Sequence, residues 1–169
     1  MTKVDASARE VDLDLSDEMA TGHLARKLAP LLGKGDVVAM WGDLGSGKTT
    51  FARALIRTLP APSGVRNKDE EVPSPTFTLV QTYARLPAEV WHFDLYRIDR
   101  PEDVLELGLE EALAEGITLI EWPDRMGSLL PSDRLDLRFA FADNGDARRV
   151  RLVGHGAWRG RLAEVFGDE

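Results

Sequence analysis

The feature that most constrains this chain is a short apolar run ending in a glycine-rich turn. Asp36-Val-Val-Ala-Met-Trp41 has the near-continuous hydrophobicity of a strand covered on both faces, and it leads directly into Gly42-Asp43-Leu44-Gly45-Ser46-Gly47-Lys48-Thr49. That octet satisfies G-x-x-x-x-G-K-[ST] at every fixed position. The glycines permit a tight turn whose backbone N–H groups point inward. The Lys48 ammonium can reach the β- and γ-phosphates, and the Thr49 hydroxyl can take a Mg²⁺ coordination position. A helix is expected from here to about Leu59, with its positive N-terminal end, Thr50 included, aimed at the same phosphates.

The flanking patterns extend this nucleus into an α/β fold. Val11, Leu13 and Leu15 alternate with acids, which predicts a half-buried strand over Glu10–Leu15; Ser16 follows as an N-cap for a helix running to Leu32. Strands are expected at Thr76–Arg85 and Glu89–Tyr96 as an antiparallel pair, then a helix over Pro101–Ala114 and a buried strand over Ile117–Trp122. Leu135, Leu137, Phe139 and Phe141 alternate before Asn144-Gly145, a turn signal, with Val150 and Leu152 on the return strand and a last helix over Ala157–Phe166. The expected architecture is a single P-loop NTPase domain over 1–169. Its mixed sheet has a parallel centre and antiparallel margins, with helices on both faces. Residues 59–75, rich in proline and charge, read as a mobile exposed loop, and 133–169 as a C-terminal hairpin and helix.

Composition narrows the function classes. With 169 residues, 43% of them hydrophobic, the chain can bury a proper core, and it has no cysteine for disulfides or thiolate metal sites. No apolar run approaches the roughly 20 residues of a membrane span. The polar start Met1-Thr2-Lys3-Val4-Asp5 lacks a signal-peptide core, so a cytoplasmic location is expected. The formal charge of −8 disfavours a stand-alone nucleic-acid binder, because phosphate neutralisation needs clustered Lys and Arg. Any nucleic-acid role would be shared with a partner.

A phosphate loop also needs an acid at the end of a neighbouring strand. Glu121 closes the apolar run Ile117-Thr-Leu-Ile120 and is the expected Mg²⁺ ligand beside Thr49. Asp94 closes Val90-Trp-His-Phe93, read as a more exposed strand, and is expected to polarise the attacking water or hold the metal's outer shell. Ser74-Pro75-Thr76-Phe77-Thr78 lies between loop and acids, where the Thr76 hydroxyl could sense the γ-phosphate as a switch. His23, His92 and His155 lack metal-ligand spacing and read as surface or capping residues, with His92 singled out only by its place beside Asp94. Trp122, next to Glu121, could pack near the site. Asp124-Arg-Met-Gly127 and Asn67-Lys-Asp-Glu70 mimic guanine-nucleotide motifs but stand in the wrong order. A small-molecule kinase is the alternative, weakened because the long loop is acidic and proline-rich rather than an Arg-rich lid.

Four ordered blocks, Gly42-Asp-Leu-Gly-Ser-Gly-Lys-Thr-Thr50, Ser74-Pro-Thr-Phe-Thr78, His92-Phe-Asp-Leu-Tyr-Arg97 and Ile120-Glu-Trp-Pro123, resemble the bacterial TsaE family. That family comprises the ATPase subunit of the tRNA threonylcarbamoyladenosine machinery. The resemblance spans roughly residues 10–125. It implies ATP/ADP and Mg²⁺ as cofactors, and association with the TsaB and TsaD proteins, tRNA being touched only indirectly. It also implies phosphate contacts at Gly45–Thr50, Mg²⁺ at Thr49 and Glu121, and catalytic or switch roles for Thr76 and Asp94; Lys48, through its reach to the β- and γ-phosphates, is expected to be catalytic with them. Base contacts near Ser16–Thr21 come from the resemblance alone. The segment from Leu59 to Glu71 is longer and more charged than the compact loop the family leads one to expect.

Overall fold

The structure, a computed structural model, describes residues 8–64, 70–143, 145 and 147–167. Its elements are β1 (Arg9–Leu15), α1 (Glu18–Leu28), β2 (Val37–Trp41), α2 (Lys48–Thr58), β3 (Val80–Tyr83), β4 (Val90–Asp94), α3 (Leu109–Glu115), β5 (Ile117–Glu121), β6 (Leu135–Phe141), β7 (Arg148–Gly154) and α4 (Trp158–Phe166). The seven strands form one sheet in the order β1-β7-β6-β2-β5-β4-β3. β2 runs parallel to both β5 and β6, and β4 parallel to β5, whereas β7 pairs antiparallel with β1 and β6, and β3 with β4. A parallel centre with antiparallel margins is the expected architecture. Among the described residues no helix is long and apolar enough to cross a membrane.

Helices cover both faces. On one, α1, α2 and α4 pack through Leu24, Leu28, Phe51, Leu55, Trp158 and Leu162 against Val38, Met40, Val90, Leu119, Leu137 and Leu152. On the other, α3 and the 3₁₀ turns Pro101–Leu107 and Pro123–Leu129 cover Val37, Phe93 and Ile120. Four local expectations shift for identifiable reasons. The cap of α1 is Asp17 rather than Ser16: its carboxylate accepts the Ala20 N–H at 2.8 Å and its charge suits a helix N-terminus. That helix stops at Leu28 because Pro30 cannot extend α geometry, and the chain tightens into a 3₁₀ turn over Ala29–Leu31. The helix expected over Pro101–Ala114 is split at Gly108, which sits at φ 90° against the Trp91 ring, 2.8 Å from where a Cβ would stand. Only Val80–Tyr83 of the strand expected at Thr76–Arg85 pairs; Thr76–Thr78 belong to a turn closed by Leu79 N–H donating to Pro75 O at 2.7 Å.

β4 is buried, not the more exposed strand its alternation suggested, because it lies between β3 and β5 with both helical layers over it. The described end of the 59–75 segment is held down: Arg53 Nε donates to Val72 O at 3.1 Å, Arg57 Nε donates to Glu70 O at 2.9 Å, and buried Arg85 pairs with Glu70. Val72 is buried. Asn67 and Lys68 lie outside the described residues, as do Asn144 and the first five residues.

A buried polar network braces the strand that feeds the glycine loop. Asp136 on β6, fully buried, accepts from Trp41 Nε1 at 2.9 Å and Arg134 Nε at 2.8 Å, and its other oxygen lies 2.9 Å from His155 Nε2. Removing the carboxylate strands a poorly exposed guanidinium. Asp136→Ala is therefore expected to lower the unfolding free energy by about 3–5 kcal/mol. Urea denaturation measures it, and a loss of under about 1 kcal/mol, the scale of an exposed ion pair, would contradict this role.

Candidate functional site

The parallel register puts the loop after β2 and the ends of β4 and β5 at one edge of the sheet. Met40 pairs with Glu121, and Glu121 with Asp94, so Gly42 begins where both acids end. This is the carboxyl edge at which open α/β sheets bind ligands. The loop needs glycine conformations: Gly42, Gly45 and Gly47 have φ of 140°, 77° and 118°. At Gly42 space is also closed, since a Cβ would lie 2.7 Å from the Phe139 carbonyl oxygen. Helix α2 begins at Lys48, so the N–H groups of Lys48, Thr49 and Thr50 have no intrahelical acceptor, the arrangement by which a helix N-terminus suits an anion.

A cleft of about 250 Å³ is lined by Leu44, Gly45, Gly47, Lys48, Thr49, Thr50, Ser74, Thr76, Asp94, Glu121 and Trp122. Expected residues from four separate sequence blocks therefore converge. The Thr49 hydroxyl donates to Glu121 Oε1 at 2.7 Å, and the Thr76 hydroxyl donates to Asp94 Oδ2 at 3.1 Å. Ser74 Oγ lies 2.8 Å from Thr76 Oγ1, and the Tyr96 N–H donates to Asp94 Oδ1 at 3.1 Å, so both Asp94 oxygens are held. Glu121 is 2% exposed and Asp94 4%. Two carboxylates at that burial require cationic or donor partners, and Lys48 supplies a positive charge that acts on both. Its ammonium donates to Gly42 O and lies 3.5 Å over the Trp122 ring. Burial pushes the Lys48 ammonium below its ordinary pKa, while Glu121, Asp94, Asp124 and Asp43 oppose that shift.

Trp122 thus forms a wall of the site, and it holds φ 61°, ψ 52°, unusual for a bulky residue. Tyr96 packs on it with ring centroids 5.0 Å apart. Ser46 is buried beneath the loop, and Asp43 and Leu44 are exposed on it. Ser16 and Thr21 are not brought into the cleft. Ser16 is exposed and lines a separate shallow pocket with Arg148, whose Nε donates to Gly45 O at 3.3 Å, while Thr21 is buried within α1.

Sequence reasoning ranked the histidines as surface or capping groups, and only His23 is exposed. His155 serves the Asp136 network. His92 is fully buried with Nε2 2.7 Å from Glu121 Oε2. The alternation that places Val90, His92 and Asp94 on one face of β4 was the available signal.

The residues fit a magnesium–nucleotide complex. Thr49 and Glu121 offer a hydroxyl and a carboxylate oxygen, hard ligands suited to Mg²⁺, which completes its shell with phosphate and water. The unpaired N–H groups of α2 suit the phosphates.

Fold and site together define a P-loop NTPase fold. The sequence profile described as threonylcarbamoyl adenosine biosynthesis protein TsaE matches residues 15–150. This chain belongs to the TsaE family. It is 38% identical over 130 residues to the tRNA threonylcarbamoyladenosine biosynthesis protein TsaE of Rickettsia bellii, covering 77% of this chain and 86% of that one. To the protein of the same name from Haemophilus influenzae it is 31% identical, covering 82% and 86%. The crystal structure of Bacillus subtilus YdiB superposes with a TM-score of 0.73 at 26% identity, covering 93% of each chain.

Two glycines separate crowding from backbone strain. Gly42→Ala meets the Phe139 carbonyl, whereas Gly64, at φ 79°, has nothing within 4 Å of its would-be Cβ. Gly64→Ala is expected to cost about 1–2 kcal/mol from the left-handed backbone alone. Gly42→Ala should cost more and abolish nucleotide binding. Equal losses in urea denaturation would show that the Gly42 turn is not closed as described.

Proposed function

We propose that the chain, acting as a single domain, binds ATP and hydrolyses it to ADP with Mg²⁺, as the nucleotide-driven subunit of tRNA threonylcarbamoyladenosine synthesis. The observation that carries this reading is the convergence of Lys48, Thr49, Thr76, Asp94 and Glu121 on one cleft. The N–H groups of Gly45–Thr50 and the Lys48 ammonium would grip the β- and γ-phosphates. Thr49 and Glu121 would hold Mg²⁺, which neutralises phosphate charge when bound.

Asp94 is the group suited to orient and deprotonate the attacking water, because its oxygens are fixed by Thr76 and Tyr96. Water attacks the γ-phosphorus, its proton passes to an Asp94 oxygen, and the bond to the β,γ-bridging oxygen breaks to release ADP and phosphate. Thr76 sits on the Pro75–Leu79 turn. A γ-phosphate that drew the Thr76 hydroxyl toward itself would reset that turn, and this couples nucleotide state to the surface beside it. Such a surface is what a TsaB–TsaD partner pair would read, with tRNA met only through that assembly. Several relatives carry tRNA threonylcarbamoyladenosine biosynthesis in their names, which supports the assignment.

The test is phosphate release by the purified chain with and without the partner pair. Wild-type protein should release free phosphate slowly alone and faster with the pair. Asp94→Asn should retain ATP binding while turnover falls by about 10²–10⁴-fold. Stoichiometric ADP with a phosphorylated small molecule and no free phosphate would establish a kinase instead.

A further inference from the structure

His92 has no assigned part in this chemistry, yet it is a buried group that touches Glu121 from the neighbouring strand β4. Val90, His92 and Asp94 alternate with Trp91 and Phe93 along β4. Leu119 and Glu121 on β5 share that face, because His92 pairs with Leu119 and Asp94 with Glu121. The His92–Glu121 contact is the diagonal of this ladder, so it follows from the parallel register. It joins a fully buried imidazole to a carboxylate that is 2% exposed, at 2.7 Å.

The donor pattern is directional. A carboxylate oxygen accepts, so Nε2 must carry the hydrogen. Nδ1 is buried and has no hydrogen-bond partner, so a hydrogen there would be stranded. The geometry assigns the Nε2–H tautomer to His92. Glu121 is thereby gripped from two elements: Oε2 by β4 through His92, and Oε1 by α2 through the Thr49 hydroxyl. A glutamate side chain has three torsions, and a contact at each terminal oxygen restricts them while leaving each oxygen a second lone pair.

We propose that His92 is a positioning residue: it holds Glu121 in the single orientation that can share a divalent cation with Thr49, and so sets the site's affinity for the metal rather than for the nucleotide. This rests on the magnesium reading above. Partners behind a ligating group typically change metal affinity by 10- to 100-fold.

The experiment is Mn²⁺ binding to the ADP-loaded protein, followed by electron paramagnetic resonance, alongside ADP affinity in EDTA by calorimetry. His92→Leu is expected to weaken Mn²⁺ about 10- to 100-fold while ADP affinity in EDTA stays unchanged. His92→Gln, which retains an amide donor near the Nε2 position, should recover most of the loss. Wild-type Mn²⁺ affinity in His92→Leu overturns the proposal. So does a glutamine variant as weak as the leucine one, or a parallel loss of ADP affinity. Should His92→Leu not fold, nitrogen-15 NMR of the wild-type imidazole decides: hydrogen on Nε2 is expected, and hydrogen on Nδ1 overturns it. Wild-type protein that binds ADP but no Mn²⁺ contradicts the magnesium reading itself, an outcome distinct from all of these.

Discussion

The parallel pairing of β2 with β5 is the constraint from which the site follows. It brings the end of one buried strand, and therefore Gly42, beside the end of another, and therefore Glu121. Because both strands are covered on two faces, neither can slip by one residue without turning its core side chains to the wrong layer. The glycine loop and the acid are thus held in register by the hydrophobic core rather than by contacts of their own. β4 adds Asp94 by the same device on the far side of β5.

What the core positions would repel if left alone. Glu121 and Asp94 are neighbouring buried carboxylates at the sheet edge, and burial of such charges is tolerated only with donors around them. The donors come from four places: Thr49 on α2, His92 on β4, Thr76 on the turn before β3, and the Tyr96 N–H. Lys48 contributes a charge that is itself disfavoured by burial. A triphosphate and a divalent cation would bring charges complementary to the Lys48 ammonium and to the two carboxylates. These donors reach both oxygens of each acid.

Much of this was legible from residue types and spacing. The apolar run before Gly42, the phosphate-loop octet and the strand-end acids carry the fold class and the convergence of Lys48, Thr49, Thr76, Asp94 and Glu121. Pairings between residues distant in sequence were not legible. His92 reaches Glu121, and Asp136 gathers Trp41, Arg134 and His155, only once strand register is known, and one-dimensional alternation leaves register open. β4 looked half-exposed because Trp91 and His92 are amphipathic, yet both helical layers cover it. Thr76–Thr78 looked like strand because threonine and phenylalanine favour β structure, a preference that depends on packing and yields here to a turn. Adjacent cap formers, Ser16 and Asp17, differ in charge beside a helix N-terminus, and that decides for Asp17.

The central claim is that backbone amides of the loop and the Lys48 ammonium hold the outer phosphates of a nucleotide. Calorimetric titration of the pure protein with ATP, ADP and AMP in the presence of Mg²⁺ tests it most directly. Binding of ATP and ADP with no detectable heat from AMP is the predicted result, because AMP has no β-phosphate to occupy the cradle. AMP binding as tightly as ATP, or none of the three binding, would contradict it.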